Sequence, residues 1–433
     1  MKKVLVLCYD FPPLPSIGAQ RPYSWFLHFH KYGFYPTVIC RKWKKGIKNQ
    51  TEYFEADEGK EEVVETATSR LIRIPHKQSR KDKLITNSGM DTSVLLRKLL
   101  TLYETFFKWT FDSADDKIYL QQRADEFLQK EKVDYILVTG EPFVLFKQAY
   151  YLSKKHNIPL YLDYRDGWTT NHSLSKSFLN KLRYQYERIF ENKYLEQAKL
   201  FGSVSKEVTD GIAGKFNISG SKSIVIKNGV EYDSYKNTKK KDTTEFSIVY
   251  TGTLYDTQPV DEFIIGLEKF ITKTKPENFK VYFIGIRLKP GKYVSQIEAL
   301  EQKYSKYIII LDSLPFEEMV QYQVNASLLL MFIIGSQKEG IIGGKTYEYA
   351  ATRNPILVVQ EERTEETPFF QGRDIQCFTF NADEVAEKIE SYYNKFQQGI
   401  SIQTSITDEE IFSISREYQV KLLAEKLNSL VKG

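Results

Sequence analysis

The feature that most constrains this chain is a rhythm of short apolar runs separated by longer helical patterns. In the first half the runs are "KKVLVLCYD", "YPTVICRK", "RLIRIPH", "VDYILVTG", "PLYLDYRD", "LFGSVS" and "SIVIKNG". In the second they are "FSIVYTG", "KVYFIG", "YIIILDSLP", "SLLLMFII", "PILVV" and "QCFTF". Continuous β-branched runs between helices predict strands covered on both faces, hence parallel sheets in an α/β architecture. Thirteen such strands are too many for one ordinary twisted sheet. The stretch "KNTKKKDTTE", residues 236–245, holds no apolar side chain and breaks the rhythm. We therefore expect two Rossmann-like domains facing across a cleft, residues 1–238 and 239–408, followed by an amphipathic tail helix over 409–433 capped at Thr407 or Asp408. Ligands of such sheets bind beside the carboxyl ends of the strands, so the chemistry belongs in the loops that follow them.

Bulk properties remove several function classes. A chain of 433 residues is long enough for two cores, and 42% hydrophobic with 27% charged residues reads as globular. A net charge of +5 does not predict a nucleic-acid partner. No apolar run approaches the ~20 residues of a membrane span. The start "MKKVLVLCYDFPP" lacks a small-residue cleavage site and reads as a first strand. Cys8, Cys40 and Cys377 each fall in a strand-like run and read as buried free thiols of a reducing cytosol. His28 and His30, two apart on a helix, face different ways, and no metal site is expected.

One segment asks a direct chemical question. "EGIIGGKTYEYAATRNPILVV", residues 339–359, contains Gly343-Gly344-Lys345-Thr346, the ending of a phosphate-cradling P-loop. Counting back, the first glycine of that motif would fall on Glu339, and Gly340 comes one residue too late. Nucleotide hydrolysis is therefore disfavoured, but the phosphate logic remains. Two glycines leave backbone amides open at a helix start, where the helix carries about half a positive charge. Lys345 adds a full charge, and Glu348, almost one turn on, can accept hydrogen bonds from a ribose diol. The alternative is a plain helix start with a solvated Lys345–Glu348 pair.

"GKTYEYAATRNPILVV" resembles the donor-nucleotide signature of GT-B glycosyltransferases, in particular the retaining glycosyltransferase family 4 of bacterial surface-polysaccharide type. Further pieces follow in that family's order. "YDFPPLPSIGAQRP" resembles the glycine-bearing loop after the first strand, and "DYRDGW" its Asp-x-Arg-Asp segment. "VIKNGVEYDSY" resembles the turn before the linker, and "IVYTGTLYD" the opening of the donor domain. The tail is similar to the helix that crosses back to the N-terminal domain. Two departures stand out: of the family's paired glutamates only Glu348 carries over, and the loop "GTLYDTQPVD" lacks basic residues.

The resemblance implies transfer of a sugar from a nucleoside diphosphate sugar to a hydroxyl acceptor, a glycan or lipid-linked intermediate, without metal or cofactor. It implies that Lys345 and the amides of Gly343, Gly344 and Thr346 hold the β-phosphate, with Glu348 on the ribose. Gly252 and Thr253 would approach the donor from the other side, and Gly18 from the N-terminal domain. Arg21 and Arg165 are candidate phosphate or acceptor contacts. Asp166 and Glu141 are the candidate carboxylates for orienting or deprotonating the acceptor. For the first of these the alternative is an ion-pair network of Asp163, Arg165 and Asp166 at the sheet edge. Two other functions share the donor site: a non-catalytic nucleotide-sugar-binding subunit, and a GT-B epimerase or hydrolase. Finally, "VLLRKLLTLYETFFKWTF", residues 94–111, has a broad apolar face from Val94 to Trp109. With "CRKWKK", residues 40–45, it could lie on a membrane, which would place this cytoplasmic chain on the inner membrane face. The alternative is a helix packed on its own domain.

Overall fold

The computed structural model describes residues 1–14, 16–44, 51–55, 57, 59–88, 94–170, 178–333, 344–360, 375–400 and 402–430. The chain divides into two compact units, Met1–Asn228 with Arg416–Gly433, and Gly229–Ser415.

The first unit is built on β1 (Lys2–Leu7), β2 (Phe34–Arg41), β3 (Glu62–Glu65), β4 (Arg70–Ile74), β5 (Tyr135–Gly140), β6 (Leu160–Tyr164), β7 (Leu200–Ser203) and β8 (Ser223–Val225). They form one sheet in the order β3-β4-β2-β1-β5-β6-β7-β8. Every pairing is parallel except β3 with β4. The central strands are apolar on both faces because both faces are covered: Val4, Leu5, Val6 and Leu7 of β1 are all fully buried. Helix Arg416–Ser429 belongs to this unit, with Val420, Leu423 and Leu427 in its core and the Leu427 carbonyl accepting from the Tyr135 hydroxyl at 2.8 Å.

The second unit carries β9 (Phe246–Thr251), β10 (Phe279–Ile284), β11 (Ile308–Leu311), β12 (Leu328–Ile333), β13 (Ile356–Gln360) and β14 (Gln376–Thr379). All pair in parallel, in the order β11-β10-β9-β12-β13-β14. Separate apolar clusters cover its two faces, one around Ile248 and Phe283, the other around Val249 and Met331. The unit's two ends meet: the Val230 amide donates to the Ile414 carbonyl at 3.1 Å.

The thirteen expected runs all form strands. β3 escapes the pattern because its two valines are exposed and it pairs through charge, Arg70 with Glu65 at 2.6 Å and Arg73 with Glu62 at 3.7 Å. The tail differs from a single helix. Thr407 caps a short helix, Asp408–Ser413, through a capping box with Glu410, and a second helix starts at Arg416. The turn between them separates a segment of the second unit from one of the first. Likewise residues 229–238 count with the second unit, where Tyr235 is buried and bonds Gln323 at 2.6 Å.

Two expectations about surface chemistry need correction. In "CRKWKK", Cys40, Arg41 and Trp43 are buried, with the Arg41 guanidinium 3.9 Å from the Trp43 ring centroid and the Trp43 indole donating to the Tyr9 carbonyl. Those three side chains therefore belong to the interior, while Lys42 is half-buried and Lys44 exposed. Trp109 is likewise core, 2% exposed and 4.7 Å from the Trp168 ring, because the helix Val94–Phe107 ends two residues before it.

Inside the first unit, Arg21 and Asp163 are both buried and joined by two bonds of 2.7 Å. Asp163 also accepts from Thr139 at 2.8 Å and Tyr161 at 3.2 Å, and Arg21 donates to the carbonyls of Ile226 and Lys227. Removing one partner of such a pair strands the other charge in the core. Asp163→Ala is expected to destabilise the first unit by about 3–5 kcal/mol, read as a lower urea midpoint for its unfolding transition. A midpoint within experimental error of the parent would refute it.

Candidate functional site

Each sheet changes winding direction at one place: between β1 and β5 in the first unit, and between β9 and β12 in the second. At such a switch point adjacent loops leave in opposite directions and open a crevice at the strand ends. The described candidate residues other than Arg21 fall at these two places.

In the second unit β9 ends at Thr251 and the chain turns at Gly252 with φ +96°, a left-handed conformation that favours glycine. A Cβ at Gly252 would lie 3.0 Å from Cε and 3.1 Å from Nζ of Lys345. The bare backbone therefore lets the lysine lie directly on the strand end. Gly285, which ends β10, also has positive φ, +77°, and abuts the backbone of Gly252. Two neighbouring strands thus finish in glycine around one position.

Lys345 sits in the first turn of the helix Gly344–Ala351, half-buried, with Nζ 3.0 Å from the Tyr250 hydroxyl and 4.2 Å from that ring's centroid. Burial pushes its pKa down to about 8, against the opposing pull of Glu348. Among the described residues this cation lacks full compensation, so an arriving anion would stabilise it. The Tyr250 hydroxyl also donates to the Thr253 carbonyl at 2.7 Å, tying the turn to the lysine's platform. The helix itself is fixed from below. Tyr349 accepts from the Thr251 amide at 3.1 Å, and Thr251 accepts from Gln323 at 3.0 Å. Thr346 turns inward, its hydroxyl 3.8 Å from the Met331 sulfur, so only its amide can serve a ligand. Gly343, with Glu339 and Gly340, lies outside the described residues.

In the first unit, Gly18 lies in the first turn of the helix Ile17–His28, capped by Ser16 accepting from the Ala19 amide. A Cβ at Gly18 would collide with the Arg165 guanidinium and come within 2.9 Å of Asp10. Arg165, just after β6, reaches across to the switch point. It donates to the Gly140 carbonyl at 2.7 Å, the Glu141 carbonyl at 2.5 Å and the Asp10 carboxylate at 3.2 Å. Burial raises the pKa of Asp10 in spite of Arg165. Glu141 is also raised, first by burial and then by the negative charge of Asp166, with Arg165 opposing. Gly18, Arg165, Glu141 and Asp166 are therefore brought together, with Asp10 as a fifth member.

Arg21 is the exception among the candidates. Its guanidinium is consumed by Asp163 and two carbonyls in the interior, so it cannot contact a phosphate or an acceptor. Asp163 accordingly pairs with Arg21, and Arg165 with Asp10, so Asp163 and Arg165 do not share the single network expected. Sequence reasoning missed Asp10, Tyr250 and Gly285. A signal for the last two was present, since "VYTG" and "YFIG" both end an apolar strand on glycine. Among the described residues no cluster of His, Cys, Asp and Glu could hold a metal ion.

No protein-family model matches the chain, and no curated protein sequence does. Solved structures do match over its whole length. A glycosyltransferase from Rickettsia africae ESF-5 is similar with a TM-score of 0.62 at 12% identity, covering 100% of this chain and 99% of that one. Sucrose-phosphate synthase from Thermosynechococcus elongatus gives 0.61 at 12% identity, over 100% and 99%. Anabaena HepE in complex with UDP-glucose gives 0.55 at 12% identity, over 99% and 100%. With two parallel α/β sheets and neighbours of this kind, the chain has the two-domain Rossmann-like fold of the GT-B glycosyltransferases.

Proposed function

We propose that this chain is a glycosyltransferase that moves a sugar from a nucleoside diphosphate sugar to a hydroxyl of a glycan or lipid-linked acceptor, as in surface-polysaccharide synthesis. The observation that carries the reading is Lys345, a partly desolvated cation laid against the bare backbone of Gly252 at the switch point of the second sheet. Neighbours of the same fold bind related ligands: HepE was solved with UDP and with UDP-glucose, and a starch synthase IV with ADP and acarbose.

In this reading the bond from the anomeric carbon to the β-phosphate oxygen breaks, and negative charge grows on the departing diphosphate. Lys345 and the first amides of its helix stabilise that charge, the kind of preorganised electrostatic stabilisation that dominates catalysis in many enzymes. Glu348 accepts from the ribose, and Gly252 and Thr253 line the phosphate path. The acceptor oxygen bonds to the anomeric carbon, and its proton passes to a carboxylate. Glu141 suits the latter task, because its raised pKa makes it a better base than an ordinary surface glutamate. Arg165 holds the two carbonyls that position it. The resemblance to family 4 supports retention of configuration and a metal-independent reaction.

Lys345→Ala should lower kcat/KM at least about tenfold, for the loss of a charged hydrogen bond contributing roughly 1.5–3 kcal/mol. The same variant should not lose stability. The folded pKa of Lys345 lies below its unfolded value, so the unfolded chain binds more protons between about pH 8 and the ordinary lysine range. Stability conferred at this site thus rises with pH across that window, and discarding the charge at pH 7 should raise the melting temperature or leave it unchanged. A fall in both activity and Tm would mean that Lys345 is structural. Donor affinity of the parent should weaken as pH climbs through about 8, measured by calorimetry with UDP-, GDP-, dTDP- and ADP-sugars.

Gly252→Ala tests the approach of backbone to lysine. The added methyl meets Lys345 and adopts a disfavoured φ, so donor affinity should drop about tenfold or more. Glu141→Gln should lower kcat with donor KM unchanged. Equal loss of donor binding would move Glu141 out of the acceptor's role.

A further inference from the structure

The helix Val94–Phe107 is oriented against the ordinary logic of a protein in water. Several of its polar residues point toward the body of the first unit: Glu104 pairs with Lys81 at 2.6 Å, and Arg97 and Thr105 are half-buried, while Lys98 and Thr101 are exposed. Most of its apolar residues point outward, Leu100 and Phe106 being half-buried. Leu95 is 74% exposed, Leu99 56% and Leu102 51%, and Leu96, Tyr103 and Phe107 are exposed beside them. None of its residues is buried. The stripe recurs every three to four positions and so forms one continuous face. An amphipathic helix left to itself buries that face, and single exposed leucines are ordinary where a stripe is not.

A second helix adds to the surface. Phe178–Gln197 meets the end of the first through Phe106 and Tyr186, whose rings are 5.7 Å apart; the Tyr186 hydroxyl donates to the Phe106 carbonyl at 2.9 Å. Its opening turns also present Phe178, Leu179 and Leu182 to solvent.

Charge identifies the occupant. Consider the described residues of these helices up to Ile189, together with the adjoining helix Arg80–Ser88. Every carboxylate there is withdrawn: Asp82 is buried against His76, Glu104 is paired with Lys81, and Glu187 is buried and paired with Arg183. The exposed ions include Arg80, Lys83, Lys98 and Lys181, all cationic. A second copy of this chain laid on the same face would bring those cations against each other. An anionic surface would not. We propose that this face docks in the plane of a lipid bilayer carrying anionic headgroups, with the leucines in the acyl boundary and the lysines at the phosphates. The 14-residue helix lies on the bilayer and does not cross it. This inference stands on the surface alone and would survive failure of the catalytic reading.

The test is co-sedimentation of the full chain with vesicles of phosphatidylcholine, alone or mixed with phosphatidylglycerol, at low and high salt. The parent should bind the mixed vesicles, more weakly as salt rises. Leu99→Glu with Leu102→Glu should reduce binding at least about tenfold, with an unchanged circular dichroism spectrum, while Ile265→Glu on the second unit should have no effect. Lys98→Glu with Lys181→Glu, both at exposed positions and with an unchanged circular dichroism spectrum, should also weaken binding to the anionic vesicles. No binding by the parent would overturn the proposal. So would full binding by both double variants, equal binding to pure phosphatidylcholine, or a dimer in light scattering that Leu99→Glu with Leu102→Glu dissolves.

Discussion

The first unit's candidate site depends on one buried ion pair. Arg21 is on the second turn of the helix that follows β1, and Asp163 is the penultimate residue of β6. Their bidentate contact clamps that helix onto the sheet two strands away from its own. Everything exposed at the switch point is measured from those two anchors. Gly18 lies three residues before Arg21, and Arg165 two residues after Asp163, and these are the residues that touch. A buried pair of this kind contributes little net stability, because desolvation offsets most of the attraction. Its effect is on register. With Asp163 also accepting from Thr139 and Tyr161, the ends of β5 and β6 are locked together, and the carbonyls of Gly140 and Glu141 are presented where Arg165 can hold them.

The second unit solves the same problem with neutral groups. The helix bearing Lys345 is pinned to β9 by a chain of buried hydrogen bonds from Tyr235 through Gln323 and Thr251 to Tyr349. Neutral bonds cost less to bury than ions, and the charged Lys345 is kept at the open end. Among the described residues that cation is poorly compensated: its near partners there are a phenol hydroxyl, an aromatic face and a glutamate three residues on. Stability is sacrificed there, and a diphosphate would restore it. Such local conflict with the rules of folding is what a binding site built for an anion produces.

These contrasts explain what could be read from the sequence. Strands covered on both faces write themselves as unbroken apolar runs, so thirteen strands and two sheets were legible. β3 was not, since its pairing with β4 rests on arginine and glutamate side chains and buries nothing. Gly252, Lys345 and Gly18 were legible because glycine after a strand and lysine at a helix start carry local signals. Arg21 misled for the same reason: it follows the glycine loop in sequence, but its partner Asp163 lies 142 positions away. A pair formed at that separation has no local trace. The tail's break at Ile414–Ser415 is similar, for both halves are amphipathic and only the tertiary contacts assign them to different units.

Periodicity alone has a further limit, visible in the helix Val94–Phe107. A hydrophobic stripe predicts that a face will be covered, without saying by what. Packed on its own domain by its apolar stripe, the helix would have turned Leu95, Leu99 and Leu102 inward; it is held there instead through Glu104 and Phe106. The observed orientation does the reverse, and the salt bridge between Glu104 and Lys81 helps to hold it. Surface pairs are weak, about 0–1 kcal/mol, far less than burying three leucines would return at about 1.5–3 kcal/mol each. An orientation that forgoes this hydrophobic gain leaves an apolar stripe of the kind that marks an interaction surface. Docking on a bilayer, as proposed, would give the same face that covering, and the cations on the flanking helices would favour one with anionic headgroups.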